Sequence, residues 1–175
     1  MADADYHVTA EYRVKDLQSR AADLLAGIRP PDAAATPDGH KLWTVYAGAG
    51  SAEDGIDVMR FIGDEKLSIK AGDSVAFDMS KGSRGTFHTV TFLSGAPAPD
   101  VLLPGGQSGY PVNPKVLLPT PSAPYDGSLY ASSGLMVSGG STPQRWTVTF
   151  TRPGSWAYQC LLHAGEGMKG TIVVQ

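Results

Sequence analysis

Two periodicities divide the chain. Val14, Leu17, Ala21, Leu24, Leu25 and Ile28 recur at helical spacing, while Arg13, Lys15, Asp16, Gln18, Ser19, Arg20 and Asp23 fill the other faces. That pattern predicts an amphipathic helix from about Ala10 to Ala26. Gly27 is placed to cap it and Pro30-Pro31 forbid its continuation. The apolar stripe calls for a dry surface to pack on, and the mixed charge of the polar face argues against a membrane surface. Pro30 to His40 reads as a connector.

From Leu42 the pattern alternates. Trp43-Thr44-Val45-Tyr46, Ile56-Asp57-Val58-Met59-Arg60-Phe61, Lys66-Leu67-Ser68-Ile69-Lys70, Ser74-Val75-Ala76-Phe77-Asp78-Met79 and Thr86-Phe87-His88-Thr89-Val90-Thr91-Phe92 predict strands, the last with Phe87 and His88 on opposite faces. Ser94 to Thr142 is rich in Pro, Gly and Ser and far longer than a hairpin needs, which predicts a long insertion with little regular structure. Within it Tyr125-Asp126-Gly127 and Ser133-Gly134-Leu135-Met136 look too ordered for a simple linker. Alternation returns at Arg145-Trp146-Thr147-Val148-Thr149-Phe150, Ser155-Trp156-Ala157-Tyr158-Gln159-Cys160 and Gly170-Thr171-Ile172-Val173-Val174. About eight short strands suffice for a two-sheet sandwich.

Composition agrees with a mostly β chain: 21 glycines and 13 prolines in 175 residues punctuate the strands. The length suits one core with an appendage, 1–42, ahead of a β domain over 43–175 that carries the insertion at about 94–142. A net charge of -3 without a basic stripe excludes nucleic acid as a partner. No apolar run reaches the length of a transmembrane helix, and Met1-Ala2-Asp3-Ala4-Asp5 has no secretory-signal pattern, so any membrane anchor is expected outside this chain.

The single cysteine cannot form an internal disulfide, so Cys160 is buried, reactive or ligating. It opens Cys160-Leu161-Leu162-His163-Ala164-Gly165-Glu166-Gly167-Met168-Lys169-Gly170, where a thiol, an imidazole and a thioether share one glycine-containing loop. Such a soft, unsymmetrical donor set suits copper, and His88 is the best candidate for a further imidazole. Each residue alone reads more readily as ordinary core or as a hydrogen-bonded structural group. Together, the spacing Cys-x-x-His-x4-Met is what points to metal. Zinc competes poorly, because its structural sites prefer four Cys or His donors and His7 and His40 lie outside the patterned β region. A Cys160/His163 nucleophilic enzyme is a further alternative, with Glu166 nearby but no evident orienting carboxylate or oxyanion motif.

On these residues the stretch 43–175 resembles the cupredoxin (blue copper) family, and the Cys160 to Gly170 loop is similar to that of plastocyanin and pseudoazurin. The resemblance implies an all-β Greek-key sandwich and one copper ion, with His88, Cys160 and His163 as strong ligands and Met168 as a weak axial one. It departs at Thr89, where the family commonly has an Asn whose amide ties the ligand loops together; the Thr89 backbone N–H remains available to the sulfur. The implied function is one-electron transfer between redox protein partners, without catalysis, in an extracytoplasmic setting, periplasmic or cell-surface. A copper carrier or copper-site assembly protein is the alternative. A copper oxidase or reductase would need histidines beside the cysteine, where Gln159 and Leu161 stand.

Overall fold

A computed structural model describes residues 3–104, 109, 111–120, 124–140 and 144–175, with side chains from residue 7 onward. In chain order the elements are α1 (Asp3–Ala26), β1 (Ala34–Ala35), β2 (Lys41–Ser51), β3 (Ile56–Ile62), β4 (Lys66–Ile69), β5 (Ser74–Asp78), β6 (Phe87–His88) and β7 (Thr91–Phe92). They continue with α2 (Pro114–Leu117), β8 (Ala131–Ser132), β9 (Met136–Val137), β10 (Arg145–Thr149), β11 (Gly154–Gln159) and β12 (Lys169–Val174). One sheet runs β1-β2-β5-β10 with β3 also on β2, and the other runs β4-β12-β11-β7-β8. A two-stranded ribbon, β6-β9, stands apart. The architecture is the expected all-β two-sheet sandwich. Its parallel pairs, β2 with β5 and β4 with β12, arise where the chain crosses between non-consecutive strands.

Alternation places Val75, Phe77, Phe92, Phe150, Tyr158 and Ile172 between the sheets, all buried. Their rings pack edge-on, Phe77 against Tyr158 at 5.0 Å between centroids and Phe92 against Phe150 at 5.6 Å, a geometry that adds to the area each aromatic buries. Burial holds the Tyr158 hydroxyl well above its ordinary pKa. Gly170 pairs with Tyr158 across β11 and β12, and a side chain on it would meet the phenol ring at 2.4 Å. This glycine therefore makes room for the core tyrosine.

The helix begins earlier than its stripe predicts, and only its C-terminal part is docked. Ala21, Leu24, Leu25 and Ile28 are half-buried, whereas Val14 and Leu17 are exposed. Arg20 adds an ion pair to Asp54 in the β2–β3 turn at 3.0 Å. The connector contains β1, which pairs with the start of β2. None of the described helices is long and apolar enough to cross a membrane.

The insertion is more structured than its composition implies. The predicted strand around His88 splits into β6 and β7, and the insertion returns along both: β9 pairs His88 with Met136, and β8 pairs Thr91 with Ser132. Between them the Ser133 hydroxyl accepts the Val90 N–H at 2.8 Å and the Ser133 N–H donates to the Val90 carbonyl at 2.9 Å. The short helix α2 buries Val116, capped by the Asn113 side chain accepting from the Lys115 N–H.

Candidate metal centre

Cys160 directly follows β11, one residue beyond Gln159, and is fully buried. The loop after it is closed by its own backbone. The Cys160 N–H donates to the Met168 carbonyl at 3.0 Å, while the His163 carbonyl accepts from Met168 at 3.1 Å and from Glu166 at 3.2 Å. Gly167 takes φ +90°, the one left-handed turn in this loop, where glycine escapes the Cβ penalty. Cys160, His163 and Met168 are thus bound to one another through the main chain before any side-chain contact is made.

His88 comes from the other side, on β6, fully buried, with the exposed Phe87 facing away as the alternation predicts. Its Nδ1 stands 3.0 Å from His163 Nδ1 and 4.0 Å from Cys160 Sγ, and His163 Nδ1 is 3.5 Å from the same sulfur. The candidate donor atoms of all three residues lie within 4.8 Å of one another. Burial, with a smaller contribution from His163, pushes the His88 ring down to about 4, so it is neutral at physiological pH and keeps a lone pair to donate. Nδ1 facing Nδ1 at 3.0 Å leaves room for at most one proton between the rings, which suits a place where both lone pairs would meet a cation.

Thr89 links the two segments. Its N–H donates to Cys160 Sγ at 3.4 Å, as the sequence led us to expect, and its hydroxyl oxygen accepts the Leu161 N–H at 2.8 Å while lying 3.9 Å from the sulfur. One threonine therefore joins the strand of His88 to the loop of Cys160. Met168 is fully buried in the core cluster beneath the loop. His40 has a structural setting, near Gly72 with Nδ1 4.0 Å from Asp73.

His163 alone of the three donors is only half-buried. Its ring is tilted 29° from that of Phe87 at 6.4 Å, beside a cleft of about 310 Å³ whose lining includes Asp57, Met59, Arg84 and Phe87. Leu161, Leu162 and Ala164 are half-buried around it, and Leu162 packs on the core. Behind the His88 ring stands Gly48, a residue that the sequence pattern did not single out. A glycine interrupting an alternating strand was the available sign.

A cysteine sulfur flanked by two imidazoles, with no carboxylate in the cluster, is a soft set that fits copper and offers little to calcium or magnesium. Residues 121–175 match the family model for copper binding proteins, plastocyanin/azurin family. No curated protein sequence matches the chain. Among solved structures, a Cu(I) amicyanin mutant is 20% identical over 84% of this chain and 97% of its own, with a TM-score of 0.43. Oxidised plastocyanin from Dryopteris crassirhizoma is 17% identical over 75% and 99%, at 0.45. A pseudoazurin from Sinorhizobium is 22% identical over 77% and 73%, at 0.39. The cofactor of this chain is one copper ion.

Proposed function

We propose that this chain, with the plastocyanin/azurin-family copper-binding pattern in its C-terminal part, is a one-electron carrier that holds copper between His88, Cys160 and His163, with Met168 as a weak axial donor. The bound metal would supply a single-electron redox change. The protein's part is to keep the donors in one place in both oxidation states, and the backbone ties among Cys160, His163 and Met168 and the Thr89 link support that role.

The observation that carries the reading over copper delivery is enclosure. His88, Cys160 and Met168 are fully buried, and only His163 reaches partly toward solvent. An ion so held is hard to hand over, whereas an electron needs only close approach. With Gln159 and Leu161 beside Cys160, the chain lacks the flanking histidines that would bring a second copper close, which supports a carrier without turnover of its own. Redox proteins are the proposed partners, and an extracytoplasmic location the proposed setting.

Adding Cu(II) to metal-free protein tests the reading. An intense visible charge-transfer band is expected, and Cys160→Ser should abolish it while leaving the β-sheet signal intact; a band that survives removes Cys160 from the site. Reversible redox with fast self-exchange supports the carrier. Ready copper transfer to an acceptor with sluggish exchange would favour the assembly role instead.

A further inference from the structure

The back of the His88 ring presents an unusual surface. Metal-ligating histidines ordinarily donate their second ring nitrogen to a carbonyl or carboxylate, which fixes the ring's orientation. Here Nε2 is fully buried and has no hydrogen-bond partner among the described residues. What lies against it is Gly48. A Cβ built on that residue would fall 2.5 Å from His88 Nε2 and 2.9 Å from Cδ2. Gly48 has φ +87° and sits where the pairing of β2 with β3 shifts register, between Ala47 and Ala49. A bulge of this kind bends the strand and re-aims what is near it. Both neighbours, Ala47 and Ala49, are fully buried.

We propose that Gly48 is a positioning residue for copper: the bulge in β2 presses bare backbone against the back of His88, and this packing takes the place of the missing hydrogen bond in aiming Nδ1 at Cys160 and His163. The inference rests on the reading that His88 is a copper ligand. The ring has little restraint otherwise, because its own ribbon is only two residues long on each strand. A methyl group at position 48 would force the imidazole back by roughly 1 Å to restore ordinary contact. Retreat moves Nδ1 toward atoms already 3.0 and 4.0 Å away, so the donor triangle cannot keep its shape.

The test compares full-length Gly48→Ala, His88→Gly and the double variant, each prepared metal-free and titrated with Cu(II). With His88 present, Gly48→Ala should shift the visible copper spectrum and weaken copper binding about tenfold. It should also lower the melting temperature of the metal-free chain by more than it does beside His88→Gly, where the left-handed backbone cost persists but the ring is gone. A double variant that folds where Gly48→Ala alone does not would support the ring contact directly. Wild-type spectrum and affinity in Gly48→Ala overturn the inference, as does an equal loss in both backgrounds, failure of both to fold included. If His88→Gly leaves the copper spectrum unchanged, with or without added imidazole, His88 is no ligand and the underlying reading falls with it.

Discussion

Two residues carry more of the site than their types suggest. Thr89 stands where the sequence resemblance would place Asn, yet it supplies a sulfur contact through its N–H and a loop tie through its hydroxyl. Thr89→Val keeps shape and the N–H but leaves the half-buried Leu161 N–H without an acceptor. It should cost about 1–3 kcal/mol in chemical denaturation while the blue band persists. A lost band would mean that the hydroxyl, not the backbone, governs the sulfur. Met168 has the opposite standing: it is fully buried, and its chemistry on the proposed reading is that of a weak donor. Met168→Leu removes a thioether that favours Cu(II) more than Cu(I), so the reduction potential measured by voltammetry should rise with a blue site retained. An unchanged potential would take Met168 out of the coordination shell.

At the level of elements, Asp73 shows how a turn anchors the sandwich. Its carboxylate accepts from the Lys41 N–H at 2.8 Å, the Trp43 indole at 3.1 Å and the Lys70 N–H at 3.0 Å, joining the start of β2 to the end of β4. Burial by itself would raise its pKa, but these donors prevail and hold the group below its ordinary value. The unfolded chain then takes up the proton first, so stability present at neutral pH is lost as pH falls below about 4. Melting curves should show this acid loss reduced in Asp73→Asn; parallel pH profiles would contradict it. The helix behaves differently along its length. Truncation through Ser19 removes exposed Val14 and Leu17 and should change the melting temperature little, while truncation through Ile28 also removes the docked Ala21, Leu24 and Leu25 and should lower it by several degrees. Both should spare the copper spectrum.

The same elements explain what the sequence could and could not disclose. Strands β5, β10, β11 and β12 were legible because alternating residues meet a core on one face, and the Cys160 loop was legible because its donors are close in sequence. The halves of the insertion that brace the His88 segment were not, since β8 and β9 have two residues each and two residues carry no period. The helix's exposed N-terminal half was misread for a related reason: a stripe records a capacity to pack, not the surface available.

On the proposed reading, the described residues leave an electron a narrow approach. Cys160 and His88 are sealed between the sheets and the returning insertion, so on the proposed reading transfer passes the half-buried edge of His163. On the side of the Cys160 to Met168 loop Glu166 is the one charged residue and the other loop side chains are small or apolar, while Asp57 and Arg84 line the cleft on the opposite side of His163. A partner can come close there with little desolvation cost, which suits brief encounters over tight complexes. Leu161 and Leu162 face different fates. Leu162 packs on the core, whereas Leu161 is half-buried outside that cluster and is held through its backbone by Thr89. Leu161→Lys therefore sets a charge at the approach without disturbing the donors, and should slow electron exchange with a redox protein while leaving the copper spectrum nearly unchanged. Leu162→Lys should instead lower the melting temperature, because its apolar contact is with the core. Equal exchange rates for Leu161→Lys and the parent chain across a range of salt concentrations would show that electrons enter elsewhere.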